Sequence, residues 1–366
     1  MEHFIPEKAK ISPFLVFFIV HQMQFGVGVL GFQRIIAQTA GYDAWIAVLI
    51  AGLSIHVIVW MIYKIVEKAN GDIMTAHSFV FGKKIGKLMS LPFVIYFILI
   101  TLTTLRTYID VIQVWMFPDL STFWYSLGFC CLAIYIIFGG FRIVTGVAYF
   151  GTVLPAYLIF TFSFIIPYSD IRNLLPIFDH SIMDLVTASY QMSFTYLGYE
   201  VILFVYPFIK EPQKSKQWVH LCVLFTTILY TLLTIGTFAF FSEGQLLKNI
   251  WPTLTIWKIV EMPFVERFEY IGIANWILIV LPNVCITLWC ASRIVKRVTN
   301  LKQKYGVLMI SIVVLITINF LKTRQQINAL NDFTGKIAFF INYGYIPLLF
   351  FLILIVKKVK KKLGTS

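Results

Sequence analysis

Long apolar stretches separated by short polar loops run through the whole sequence. A helix needs about twenty mostly apolar residues to cross the hydrocarbon core of a membrane. By that rule the chain is predicted to be an all-α membrane protein with ten transmembrane helices, because the alternation typical of a membrane barrel is absent from the sequence. The predicted spans are residues 11–38, 42–66, 89–117, 122–139, 143–167, 183–209, 218–242, 267–291, 305–321 and 337–356.

The first predicted span is interrupted near its middle by glycines. Gly26, Gly28 and Gly31 alternate there with β-branched valines, and both kinds of residue weaken a helix. In lipid, unwound backbone is tolerated only where it is buried in protein or lines a cavity. The break therefore predicts either a site of close helix packing or a ligand site.

A second break lies in the sixth span, where small and polar residues at 193–198 precede Glu200. Breaks in spans 1 and 6 divide the chain into two halves of five spans. Because five is an odd number of crossings, the second half starts on the opposite side of the membrane and is inverted relative to the first. This pattern predicts an inverted-repeat (5+5) transporter fold with a ligand site at the midplane, although two packing kinks are the alternative. The predicted regions are an N-terminal tail (1–10), a first repeat (11–167), an extracytoplasmic loop (168–182), a second repeat (183–356) and a basic tail (357–366).

Composition supports a multi-pass membrane protein. Hydrophobic residues make up 59% of the 366 residues and charged residues 13%, about half the charged fraction of a soluble domain. The net charge of +13 does not indicate nucleic-acid binding, because the lysines and arginines lie in loops between apolar runs. About twenty of them fall on the side of the termini and eight on the other, which predicts that both termini are cytoplasmic. The lysine-rich tail would favour anionic membrane lipid. Alternatively, it is only the basic flank that stops transfer of the chain after the last span.

The two breaks predict a site for a small zwitterion such as an amino acid. Helix N-termini attract carboxylates, and C-terminal carbonyls attract ammonium groups or cations. Span 3 and span 8 are expected to contribute side chains near mid-depth, although core packing is the default role for such residues. The ligand-binding residues expected from the breaks, from these spans and from the resemblance described below are Gly26, Val27, Gly28, Val29, Leu30, Tyr96, Ile100, Phe194, Thr195, Leu197, Gly198 and Asn283.

Charged residues inside the spans are candidates for gating or bracing. Arg106 and Asp110 are four residues apart, so they share a helix face and can pair, either as a gate or as an ion pair that locks spans together. Glu200 could titrate in a proton-coupled cycle, receive a cation, or accept unpaired N–H groups where the helix restarts. Asn283 could bind a ligand or hold two helices together.

Other reactive side chains point to no enzyme and no cofactor. His21 and His56 lack a partner at metal-ligand spacing and are expected to be core histidines. The five cysteines lie in apolar segments without ligand spacing. The sequence contains no nucleophile–base set and no phosphate-binding loop.

Short motifs spread over essentially the whole chain resemble one family. The pattern G-V-G-V-L followed by Arg34 and A-G-Y-D-A-W resembles the opening of spore germination receptor B subunits, a branch of the amino acid–polyamine–organocation transporter superfamily. One departure is Phe32-Gln33 before Arg34, where family members often have a proline. The other similar stretches are Gly82-Lys83, Asn173 to Pro176, Leu197 to Glu200, Ile250 to Thr253 and Val265 to Glu269.

The resemblance implies a leucine-transporter-like fold and a role in sensing nutrient germinants. It places the chain in the inner membrane of a bacterial spore, with an A subunit and a lipoprotein C subunit as partners. The family's pocket positions, carried over by motif, are Gly26, Tyr96, Ile100, Leu197 and Asn283.

Three functions remain open at this point. The chain is a receptor subunit that binds a nutrient and signals to partners, a proton- or sodium-coupled amino acid transporter, or a scaffold with a vestigial pocket. The fold alone cannot separate them, since one architecture serves all three. The resemblance favours the receptor.

Overall fold

The computed structural model describes residues 5–263 and 265–362, and its regular secondary structure in these ranges is helical. In chain order the α-helices are α1 (Leu15–Gln24), α2 (Phe32–Ala40), α3 (Ala44–Ala69), α4 (Ile73–Phe81), α5 (Lys83–Ser90), α6 (Pro92–Trp115), α7 (Thr122–Phe138), α8 (Phe141–Val153), α9 (Tyr157–Phe160), α10 (Ile182–Thr195), α11 (Ile202–Val205), α12 (Ser215–Phe240), α13 (Glu243–Lys248), α14 (Pro252–Trp257), α15 (Phe268–Asn275), α16 (Ile277–Thr299), α17 (Gln303–Phe320), α18 (Arg324–Phe339) and α19 (Ile346–Lys362).

The apolar helices coincide with the predicted spans. Within the described residues, seven helical segments are long and apolar enough to cross a membrane. Three shorter apolar helices, Leu15–Gln24, Thr122–Phe138 and Tyr199–Phe208, fall in the first, fourth and sixth predicted spans. The prediction of an all-helical membrane protein is therefore confirmed.

The first span breaks where its glycines predict. Helix α1 ends at Gln24, a 3-10 helix covers Val27–Leu30, and α2 begins at Phe32. A Cβ atom at Gly31 would lie 2.7 Å from the Ile250 carbonyl oxygen, so only glycine allows this close approach. The loop between α13 and α14 therefore packs directly on the break.

The sixth span breaks between α10 and α11. Gly198 has a φ of +123°, and a 3-10 helix over Tyr199–Val201 restarts the chain before α11. A Cβ atom at Gly198 would overlap the Cβ and main chain of Met23, in the last turn of α1. Glycine is required here both by its backbone conformation and by contact between the two broken spans.

Helix α16 lies at the centre of the bundle. It packs against α6, α8 and α17, and every side chain from Pro282 to Ile294 is buried. The periphery is apolar instead: Leu53, Trp124 and Phe160 are each more than two-thirds exposed. An apolar periphery around a packed interior is what a lipid-facing surface requires.

Some boundaries differ from the predicted ones. The last helix continues to Lys362 through a π-helical turn at Phe340–Tyr345, so the predicted basic tail (357–366) is helical as far as it is described. Helices α4 and α5 were not predicted, because eight or nine residues are too few to register as a span. Residues 1–4 of the predicted N-terminal tail and 363–366 of the basic tail lie outside the described residues.

We expect Gly198→Ala to lower the free energy of unfolding by about 2 kcal/mol or more. The added Cβ atom strains the backbone at a positive φ and overlaps Met23. Thermal unfolding of the purified protein, followed by circular dichroism, measures the change. Gly128→Ala is the matched control, because a Cβ atom at Gly128 in α7 meets nothing within 4 Å. Equal unfolding temperatures for the two variants would contradict the close packing of the breaks.

Candidate functional site

The two helix breaks lie against each other in the interior of the bundle. The side-chain amide Nε2 of Gln24 donates to the carbonyl of Tyr196 at 3.2 Å. A Cβ atom at Gly28 would lie 3.2 Å from the Cγ2 of Thr195. The structure thus brings together the two segments in which the sequence predicts a ligand site.

Carbonyl oxygens beside the first break are capped by side chains from other helices. Such oxygens are left free where a helix ends, and in a membrane they need a partner. The three pairs are the Asn283 Nδ2 with the Gln22 carbonyl (2.7 Å), the Tyr230 hydroxyl with the Gln24 carbonyl (2.7 Å) and the Thr253 hydroxyl with the Val29 carbonyl (3.0 Å).

Glu200 performs the corresponding role at the second break. Its carboxyl group is completely buried and accepts the backbone N–H of Gly198 at 2.9 Å. It also accepts the hydroxyl of Tyr96, which reaches across from α6 at 2.6 Å. Of the three roles considered for Glu200, the structure shows acceptance of an N–H group at the helix restart, while proton transfer and cation binding stay predictions.

Asn283 holds two helices together and keeps one polar atom free. Its Nδ2 donates to the carbonyls of Gln22 and Ile279, at 2.7 and 3.1 Å. Its Oδ1 has no hydrogen-bond partner among the described residues. A Cβ atom at Gly26 would lie 3.7 Å from the Asn283 Nδ2, so Asn283 adjoins the accessible part of the first break.

The predicted ligand-binding residues divide into an accessible group and a buried group. Gly28 is exposed, and Gly26, Val27, Phe194, Thr195 and Leu197 are half-buried. We call this accessible group the cleft. Val29, Leu30, Tyr96, Ile100, Gly198 and Asn283 are buried. Within the buried group, the Tyr96 hydroxyl is already engaged by Glu200.

The predicted pairing of Arg106 with Asp110 is wrong. Asp110 forms its ion pair with Arg324, at the start of α18. The Nε of Arg106 donates instead to the carbonyl of Leu321, at the end of α17 (2.7 Å). Both residues therefore link α6 to the turn between α17 and α18, and a gating role for them stays a prediction.

Each histidine considered from the sequence contacts another polar side chain. His21 Nδ1 is 2.9 Å from the hydroxyl of Thr226, and His56 Nδ1 is 2.8 Å from Nδ1 of His220. No group of three His, Cys, Asp or Glu side chains suited to a metal ion occurs in the part of the chain that the structure describes. His220 is a partner that the sequence analysis missed, because contacts between distant spans leave no local pattern.

We expect Tyr96→Phe to lower the free energy of unfolding by about 1–3 kcal/mol, because it leaves a buried carboxyl oxygen of Glu200 without its donor. Chemical unfolding in detergent micelles measures the loss. Tyr135→Phe is the control, since Tyr135 is 79% exposed and its hydroxyl has no partner in the described ranges. Equal stability of both variants would show that the Tyr96–Glu200 contact contributes nothing.

Solved structures share the fold. The chain matches a substrate-bound, outward-open Na⁺-coupled sialic acid symporter with a TM-score of 0.66, 14% identity, and coverage of 94% of this chain and 79% of that one. It also matches MhsT in complex with L-phenylalanine, with a TM-score of 0.56, 12% identity, and coverage of 94% and 98%. At these identities the likeness shows a leucine-transporter-like fold and no more.

Sequence relatives are spore germination proteins. The chain is 45% identical to spore germination protein GerQB of Bacillus cereus over 94% of this chain and 96% of the relative. It is 24% identical to spore germination protein A2 of Bacillus subtilis over 95% and 96% of the two chains. The model of the spore permease family, described as spore germination protein, matches residues 10–327. The chain therefore belongs to the spore permease family of spore germination proteins.

Proposed function

We propose that this chain is the nutrient-binding subunit of a spore germination receptor. It binds a small nutrient, an amino acid, in the cleft between the two helix breaks, backed by α6 and α16. Binding then signals to partner subunits that start germination. The observation that carries this proposal is the accessible backbone of Gly26–Gly28 beside Thr195, at the point where the breaks meet.

The chemistry of the cleft suits a small zwitterion. Broken helices present backbone N–H groups and carbonyls, which match a carboxylate and an ammonium group. Asn283 adjoins Gly26 through its Nδ2, and its free Oδ1 would accept a hydrogen bond from an ammonium group. Leu197 and Phe194 supply apolar surface for a side chain. The bound phenylalanine of MhsT shows that one protein of this fold takes an amino acid.

The proposed membrane arrangement has ten spans in two inverted repeats, residues 11–167 and 183–356. Support comes from the two breaks, which fall in spans 1 and 6. Ile11 at the start of span 1 also exchanges backbone hydrogen bonds with Phe208 and Lys210 at the end of span 6, both at 2.8 Å. These two ends therefore lie on one side of the bundle, as six complete spans between them require. The charge bias favours a cytoplasmic location for this end and both termini. The germination proteins among the relatives favour the spore inner membrane.

Signalling would pass to an A subunit and a C subunit. A ligand can shift a conformational equilibrium only by its different affinity for the two states. The first break is suited to such a shift, because it carries the cleft and also touches the outer loop through Gly31 and Ile250. A nutrient that fixes Gly26–Gly28 would thereby bias the outer surface available to partners.

The alternative is a proton- or sodium-coupled amino acid transporter, and the fold shared with symporters favours it. The capped carbonyls of Gln22, Gln24 and Val29 weigh against sodium, because oxygens that already accept a hydrogen bond are poorer ligands for a cation. Glu200 remains the residue that would carry a proton. The family relatives, which are named as germination proteins, favour the receptor.

We expect Gly28→Leu to raise the nutrient concentration for half-maximal germination at least about tenfold, because the side chain fills the cleft beside Thr195. A deletion strain is first screened against single nutrients to find the one that needs this gene. Spores carrying each variant are then tested with that nutrient. Gly128→Leu, which meets open space on α7, is the control and should respond like wild type.

Two results would contradict the receptor proposal. One is an unchanged dose-response in Gly28→Leu spores with normal amounts of the protein. The other is uptake of the labelled nutrient by the purified chain alone in proteoliposomes, which would establish transport.

A further inference from the structure

A large cavity is formed where the loop before α10 meets the residues that precede α3 and the start of α13. Its lining residues come from the three segments 42–43, 173–180 and 242–243, and none of them belongs to the cleft. Its volume is about 270 Å³. Because a cavity of about 150 Å³ holds a benzene molecule, a molecule of one ring with a short side chain fits here.

Hydrogen bonds hold the walls of this cavity in place. The carboxylate of Asp43, which is 2% exposed, accepts the backbone N–H groups of Phe178 and His180 at 2.8 and 3.0 Å. The Tyr42 hydroxyl donates to the Phe241 carbonyl at 2.7 Å. A site whose walls are already ordered loses less conformational freedom when a ligand binds.

Oxygen atoms without partners line the cavity and are open to solvent. Asp179 and Glu243 are both exposed, and their carboxylates have no hydrogen-bond or ion-pair partner among the described residues. Asn173 donates through its Nδ2 to the Ala239 carbonyl at 3.1 Å, which leaves its Oδ1 without a partner within the described ranges. Ionised carboxylates and amide oxygens only accept hydrogen bonds, so a ligand must supply the donors.

The cavity lacks a basic side chain that could neutralise its carboxylates. No Lys or Arg lines it in the part of the chain that the structure describes. Arg172, which precedes Asn173, is paired with Asp170 at 2.7 Å. His180 Nδ1 lies 3.4 Å from the Asp43 carboxylate, so a proton on His180 would be paired there. The lining therefore favours a cationic ligand and disfavours an anion.

The remaining lining residues favour an organic cation over a metal ion. Leu174, Leu175, Pro176 and the ring of Tyr42 give the cavity an apolar and aromatic wall. Such a wall binds the apolar body of a ligand, and a tyrosine ring also attracts an ammonium group. No group of three His, Cys, Asp or Glu side chains in the described residues, including those that line this cavity, is suited to a metal ion.

We propose that this cavity is a second ligand site, for a small amine in its ammonium form with an apolar body of about one ring. Asp179 and Glu243 bind the ammonium group, and the apolar wall binds the body. The site goes beyond the nutrient cleft and does not depend on it. Glu243 begins α13, whose Leu247 carbonyl accepts the Nε of Arg34 in α2 at 2.8 Å. A bound amine would therefore contact a helix that is bonded directly to the first span.

The test uses the full chain at neutral pH in nanodiscs of phosphatidylcholine, a lipid without net charge, and fluorine NMR of para-fluorophenethylamine. Line broadening beyond that given by empty nanodiscs reports binding. We expect the double variant Asp179→Asn/Glu243→Gln to raise the dissociation constant about 3–10-fold, since it removes both charges and keeps the side-chain size. Asp119→Asn/Glu261→Gln is the matched control, because these exposed carboxylates lie outside the cavity, and it should bind like wild type.

A second probe keeps the test decisive if the double variant does not fold. Para-fluorophenethyl alcohol has the same body without the charge, so it should bind the wild-type chain more weakly than the amine by a similar factor. Gly28→Leu, which fills the cleft, should leave the affinity for the amine unchanged. No broadening beyond empty nanodiscs, equal affinities for amine and alcohol, equal effects of the two double variants, or loss of amine binding in Gly28→Leu would each overturn the proposal.

Discussion

A helix that breaks inside a membrane must find partners for its freed backbone groups within the protein, because each unpaired group costs several kcal/mol in hydrocarbon. This chain breaks twice, and the two breaks supply partners for each other and recruit the rest from the bundle. Gln24 beside the first break binds the carbonyl of Tyr196 in the second, and Glu200 binds the N–H of Gly198. Helices α6, α12 and α16 supply such partners, because Tyr96, Tyr230 and Asn283 reach the breaks from those helices.

The positions of the breaks could be predicted from the sequence, because glycine spacing is a local signal with a local physical effect. Their partners could not be. Tyr230 and Thr253 resemble ordinary polar residues of apolar segments, and only the folded bundle brings them to the Gln24 and Val29 carbonyls. The family motifs added Tyr96 and Asn283 as pocket positions, but local spacing could not show that both serve first as supports for the breaks.

The Arg106–Asp110 pairing shows why spacing alone misleads. Four residues of separation make a pair possible within one helix, but a better-placed partner from another helix can replace it. Here Thr323 caps α18 and so places Arg324 at the first turn, beside Asp110, while Arg106 turns to the Leu321 carbonyl. The approach of α18 to α6 joins segments about 215 residues apart and left no local pattern in the sequence.

At the first break, the carbonyls of Gln22, Gln24 and Val29 thus already accept hydrogen bonds from protein side chains, which leaves them poorly suited to hold a cation. Hydrogen–deuterium exchange of the segments 25–31 and 196–201, in nanodiscs with potassium or with sodium as the only alkali cation, tests this most directly. If protein side chains cap the breaks, both segments should be equally protected in the two salts. Rapid exchange in potassium that slows when sodium is added would contradict it, because the breaks would then depend on a bound cation.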